Sequence, residues 1–133
     1  MNRETDLLFV YGTLMKGFTN PVAKHLHSTQ VFLGEASFPG ILFHVSFYPG
    51  AVYLPEADGL VLGHLFRIVK NTEELFRKLD AYEGIGAEYD APHEFKKAVI
   101  PIHFSGKTVE AATYLYNTSY DHYPTIPSGD FKK

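Results

Sequence analysis

Apolar side chains run almost unbroken from Asp6 through Leu7, Leu8, Phe9, Val10 and Tyr11 before Gly12, the pattern of a strand buried on both faces that ends in a turn. Pro21 to His27 predicts a short helix, with Asn20 as its cap and Pro21 at the first position, where a missing N–H is tolerated. Short β-prone runs follow at Val31–Ser37, Ile41–Ser46 and Ala51–Leu54. They are separated by Pro39-Gly40 and Pro49-Gly50, dipeptides that break strands and set turns. A longer strand is predicted over Gly59–Ile68. After Asn71 the apolar period changes: Leu75, Leu79 and Tyr82 fall at i, i+4 and i+7 with Phe76 beside them. Asn71-Thr72-Glu73-Glu74 has the form of a capping box and Gly84 stops the helix. Two long strands come next, Tyr89–Phe104 with a break near Pro92 or Pro101, and Thr108–Tyr116. The turn Ser105-Gly106-Lys107 joins them, and the tail from Ser119 to Lys133 is rich in turn residues.

Strands dominate and do not alternate regularly with helices, which disfavours a doubly wound parallel sheet. The expected class is α+β, a mixed sheet curled toward a barrel, with one domain spanning residues 1–133. The length of 133 residues and an apolar share of 45% fit a single core.

Composition narrows the chemistry. Cysteine is absent, which excludes disulfides, thiolate nucleophiles and zinc–thiolate or iron–sulfur sites. Lys and Arg number 12 against 15 Asp and Glu, a net charge of −3, and no basic stripe is present, so nucleic acid is not expected as a partner. No apolar run approaches the roughly 20 residues that span a bilayer, and the acidic N-terminus is unlike a secretory signal. The expectation is a soluble, cytoplasmic protein without a membrane partner. Of the seven histidines only His25-x-His27 is closely spaced, and not as a helical metal pair, so no metal site is expected. No serine sits in a Gly-x-Ser-x-Gly elbow, there is no phosphate-loop lysine motif, and Gly84-Ile85-Gly86 follows a helix rather than a strand. No cofactor is expected. The 11 Phe and 9 Tyr must fill the core and line a cavity as well.

Two segments have candidate chemistry. Tyr11-Gly12-Thr13-Leu14 places a glycine turn directly after a buried strand, where successive backbone N–H groups can converge on an anion. The alternative is simply a strand that ends at a glycine. Leu79-Asp80-Ala81-Tyr82-Glu83-Gly84 puts a carboxylate in the last helical turn, against the negative end of the helix dipole. Glu83 is either an exposed helix-end acid or a group turned partly inward, in which case burial and the helix end both raise its pKa toward the range of a general base.

In this order and at this separation, the segments resemble the γ-glutamylcyclotransferase-like, or AIG2-like, family. The likeness rests on Tyr11-Gly12-Thr13-Leu14, Pro49-Gly50-Ala51-Val52, Leu79 to Gly84, the pair Glu88-Tyr89, and a closing stretch through Tyr114–Tyr116 and Ile126-Pro127-Ser128-Gly129-Asp130-Phe131. It implies a small mixed β-barrel with flanking short helices, a small-molecule γ-glutamyl substrate held by the Tyr11–Leu14 turn, and Glu83 as acid and base. The substrate's own α-amine closes on its γ-carbonyl to give 5-oxoproline, which requires no protein nucleophile. Tyr11, Tyr89 and Tyr116 would supply hydroxyls and walls, or serve only as core. One departure stands out: family members commonly have an Arg soon after the Glu-Tyr pair, and this chain has Asp90-Ala91-Pro92 there. The alternatives are a non-catalytic module that binds small carboxylates or amino acids in the same pocket, and an enzyme of the same fold that removes an acyl tag. The leaving amine and the oligomeric state are left open.

Overall fold

A computed structural model describes residues 6–83 and 93–132. In chain order its elements are β1 (Leu7–Val10), α1 (Pro21–Thr29), β2 (Val31–His44), β3 (Pro49–Tyr53), β4 (Leu60–Arg67), α2 (Thr72–Tyr82), β5 (Phe95–Phe104) and β6 (Lys107–Tyr116). The sheet runs β3-β2-β4-β1-β6-β5, and a further pairing, Ser37 with His103, joins β2 to β5. That contact closes β2, β4, β1, β6 and β5 into a five-stranded barrel, with β3 attached outside the ring along β2. β1 and β6 run parallel and the other pairs antiparallel, so the barrel is mixed. The α+β class, a small mixed barrel with short flanking helices, is the fold observed.

β1 shows why a nearly continuous apolar run was required. Leu8 and Val10 face the helices and join Leu26 of α1 and Leu75 and Leu79 of α2 in one core. Phe9, with Tyr11 just beyond the strand, faces the barrel interior and packs with Phe38, Val61, Leu65 and Ile102. Alternation therefore continues, but both faces are covered. A third cluster of Phe43, Phe95 and Tyr116 closes one end, with Tyr48, Tyr120 and Tyr123 against it. Leu79 is fully buried beneath the end of α2, and its truncation to Ala would cost about 2–5 kcal/mol.

Two expectations about strand breaks are corrected. Pro39-Gly40 does not break a strand: β2 is continuous over 14 residues, and the dipeptide marks where it changes partner, from β4 at Pro39–Leu60 to β3 at Gly40–Tyr53. Proline's fixed φ suits an extended chain, and a Cβ at position 40 would lie 2.0 Å from the Val52 carbonyl, so only glycine fits this crossing. Pro49-Gly50 likewise begins β3 rather than preceding it. Of the two places given for a break in the next strand, Pro101 lies within β5, opposite Glu110 of β6, without one, and Pro92 lies outside the described residues.

The two helix starts differ. Asn20 caps α1 as expected, its Oδ1 accepting the Ala23 N–H at 2.8 Å. Asn71 makes no capping bond with its side chain; it adopts a left-handed conformation (φ 54°), so the expected capping box does not form. The hairpin between β5 and β6 is tighter than expected, with only Ser105 and Gly106 between strands and Lys107 already paired with Phe104. Among the described residues no helix is long and apolar enough to cross a membrane.

Candidate active site

The end of β1 delivers the chain into the turn Tyr11-Gly12-Thr13-Leu14, and the carbonyls of Gly12, Thr13 and Leu14 are each engaged by the protein. The Gly12 carbonyl accepts the Met15 N–H at 3.1 Å, and the Thr13 carbonyl accepts Asn20 Nδ2 at 2.9 Å. The Leu14 carbonyl lies 2.7 Å from His27 Nε2, which must therefore carry the proton. Because a trans peptide sets N–H opposite to C=O, the N–H groups of Thr13 and Leu14 point away from the groups that hold the Gly12 and Thr13 carbonyls. Further ties come from β4 and α2: the Lys16 N–H donates to His64 Nδ1 at 3.0 Å, and the Thr13 and Tyr82 hydroxyls are hydrogen-bonded at 2.6 Å. Gly12 is required by a close approach, since a Cβ there would lie 2.9 Å from Pro49 Cγ.

This turn and Glu83 line one cavity of about 350 Å³. Glu83 is the residue that ends α2, its N–H bonded to the Leu79 carbonyl at 2.9 Å, and it is partly buried. Burial is the main cause that pushes its carboxyl from 4.5 up to about 8, and the negative charges of Glu94 and Asp80 add to it. Asp80, one turn earlier, is held by the Tyr114 hydroxyl at 2.6 Å and by Lys97 Nζ at 3.2 and 3.3 Å, while Lys97 also lies 4.8 Å from the Phe76 ring centre. Those ties keep the end of α2 in place beneath Glu83.

Of the residues singled out from sequence, Tyr11, Gly12, Thr13, Leu14 and Glu83 meet at this one cavity. Tyr11 donates its hydroxyl to the Tyr114 carbonyl at 2.5 Å, and burial, followed by the charge of Glu83, raises its pKa well above that of an ordinary phenol. It is thus a neutral wall. Tyr116 stands one layer back: it is not among the lining residues, its ring meets Phe43 and Phe95 edge-on, and its hydroxyl pairs with that of Tyr123 at 3.0 Å. Tyr89 lies outside the described residues, as do Glu88, Gly84 and the Asp90-Ala91-Pro92 stretch.

Among the lining residues that sequence reasoning missed are Glu94, Tyr48 and Thr113. Glu94 presents a second carboxylate, with the Tyr48 hydroxyl 2.9 and 2.7 Å from its two oxygens. Thr113 is fully buried on β6, and its hydroxyl has no hydrogen-bond partner among the described residues. A signal for Glu94 was present, because Glu94-Phe95-Lys96-Lys97 repeats the Glu-aromatic pair of Glu88-Tyr89 and adds a basic residue two places on. Among the described residues no three His, Asp or Glu side chains converge as a metal site.

The profile described as "Gamma-glutamyl cyclotransferase, AIG2-like" matches residues 8–133. The chain belongs to this family. Solved structures agree with the assignment. YkqA from Bacillus subtilis is 26% identical with a TM-score of 0.70; the match covers 96% of this chain and 40% of YkqA, so the chain spans about two fifths of that protein. An AIG2-like protein from Mus musculus has a TM-score of 0.65 at 24% identity, covering 95% of this chain and 88% of the mouse one. The ytfP protein of Escherichia coli has a TM-score of 0.64 at 27% identity, covering 94% and 95%. No curated protein matches the chain. In this γ-glutamyl cyclotransferase-like chain, the Tyr-Gly-Thr-Leu turn and the carboxylate at the end of α2 line one cavity.

Proposed function

We propose that the protein is a cytoplasmic, cofactor-independent γ-glutamylcyclotransferase that converts a small γ-glutamyl amine or peptide into 5-oxoproline and the free amine. The observation that supports this most directly is that Glu83, with its carboxyl raised to about 8, shares a cavity with the Tyr11–Leu14 turn. Backbone N–H groups of Gly12, Thr13 and Leu14 hold the α-carboxylate, which bends the glutamyl chain so that amine and γ-carbonyl meet. Ionised Glu83 takes a proton from the α-ammonium. The amine lone pair then forms the new C–N bond at the γ-carbonyl carbon. Glu83 returns the proton to the departing nitrogen as its C–N bond breaks, and then accepts the second proton from the new lactam nitrogen and passes it to the released amine. The substrate supplies the nucleophile, so the absence of cysteine costs the reaction nothing.

The deciding experiment measures 5-oxoproline release from γ-glutamyl amides by wild type and Glu83→Gln. Wild type is expected to turn over and the variant, folded to the same melting profile, to be inactive. Full activity in Glu83→Gln would overturn the role of Glu83. Stabilisation of wild type by γ-glutamyl compounds without any turnover would make the protein a binding module.

A further inference from the structure

The loop that carries the Tyr11–Leu14 turn leaves the barrel and returns to it at a single residue. His64 of β4 is paired with Val10, the last residue of β1, in the sheet, and its Nδ1 accepts the Lys16 N–H at 3.0 Å. Tyr11 to Met15 therefore lie between two anchors on one histidine. Only a ring nitrogen without a proton can accept an N–H, so the His64 proton sits on Nε2. The side chain is buried, with the Phe32 ring edge-on to it at 5.2 Å. Among the described residues, the charged and titratable groups that bear on it are Glu35 of β2, His27 of α1, and Asp130 and Lys132 of the C-terminal tail. Burial first, and Lys132 next, hold the ring below the usual histidine range against the opposing pull of Glu35 and Asp130. Lys132 also donates its Nζ to the Lys16 carbonyl, so Lys16 is held on both sides. His27 ties the turn with the opposite polarity: its Nε2–H donates to the Leu14 carbonyl, which it can do charged or neutral.

We propose that His64 is a positioning residue whose unprotonated Nδ1 latches the Tyr11–Leu14 turn, and that a proton on this nitrogen opens the latch. With the proton in place, Nδ1–H and the Lys16 N–H face each other as two donors and the hydrogen bond is lost. The turn then keeps its ties to Asn20 and His27 but loses the one to β4. The effect on turnover rests on the cyclisation reading, in which N–H groups of this turn hold the substrate carboxylate.

Hydrogen exchange, followed by NMR without substrate, tests the latch. In wild type the Lys16 amide is expected to be protected while His64 is neutral and to lose protection as the ring titrates. In His64→Asn, whose Oδ1 replaces Nδ1 as the acceptor and takes up no proton, protection should persist. Protection that survives His64 protonation in wild type overturns the latch, as does its loss at the same pH in His64→Asn; wild type alone decides if the variant does not fold. Turnover tests the positioning role, through 5-oxoproline release from γ-glutamyl amides of simple primary amines. Glu83 by itself makes log kcat/KM fall with a slope of one below about pH 8. Wild type should steepen to a slope of two where His64 titrates, and His64→Asn should stay at one. His64→Leu, which has no acceptor, should lower kcat/KM at pH 8 by about tenfold, and His64→Asn should restore most of it. A slope of one throughout in wild type, or of two in both proteins, overturns the positioning role. If none of the amides is turned over, the cyclisation reading fails, and hydrogen exchange decides the latch by itself.

Discussion

The two walls of the cavity are built in different ways. On one side the turn Tyr11-Gly12-Thr13-Leu14 is tied to four places: Asn20 before α1, His27 within it, His64 of β4 through the adjoining Lys16 N–H, and Tyr82 of α2. On the other side Phe47 and Tyr48 come from the connection between β2 and β3, and they meet Glu94 through a single phenol. Reacting atoms must be held within a fraction of an ångström, which takes many ties from rigid elements. A leaving group need only be accommodated, and a few aromatic and charged contacts suffice. The contrast therefore assigns positioning to the first wall and accommodation to the second.

The sharpest way to break this division is at Glu83. Its replacement by Gln should lower kcat/KM by about 10²- to 10⁴-fold, the usual worth of a positioned acid or base, with little change in fold. Next comes Gly12→Ala: the added methyl would sit 2.9 Å from Pro49 Cγ and 3.0 Å from Cδ, ring carbons fixed at the start of β3. The turn must shift, and activity measured on the same amide should fall by about 10²-fold. Asn20→Ala removes both the α1 cap and the bond to the Thr13 carbonyl, and chemical denaturation should show a loss of about 1–2 kcal/mol. Thr113→Val tests the cavity lining, where a buried hydroxyl lacks a partner among the described residues. The unliganded protein should gain up to about 1 kcal/mol, read as a higher melting temperature.

Stability also depends on pH. Folding raises the Glu83 carboxyl from 4.5 to about 8, so the native state binds that proton more tightly than the unfolded chain does. Stability from this group is full below pH 4.5 and is lost as pH rises through 8. Denaturation curves across that window should slope downward for wild type and flatten in Glu83→Gln. An equal slope in both would place Glu83 in water, outside the cavity lining.

Much of this was legible in the chain because it is local. The continuous apolar run of β1, the Asn20-Pro21 start of α1 and the 3.6-residue period of α2 each depend on near neighbours. Glu83 was visible for a similar reason, since an acid at a helix C-terminus opposes the dipole within its own turn. Two features were misread, and a third was left open. Pro39-Gly40 looks like a turn until β3 and β4 both pair with β2 on either side of it. Asn71 has the side chain for a cap, yet its backbone is left-handed and the capping bond is lost. Tyr116 has the hydroxyl for a binding site, but Phe43, Phe95 and Tyr123 enclose it behind the wall.

The sequence by itself determined the strand and helix that end in the two candidate motifs, because periodicity and turn residues act over a few positions. Only the tertiary structure decided that these motifs meet at one cavity and that Glu94 and Tyr48, 46 residues apart, complete it. Closure of the barrel through β2 and β5 brings them together, and a contact made by closing a sheet leaves no local pattern along the chain.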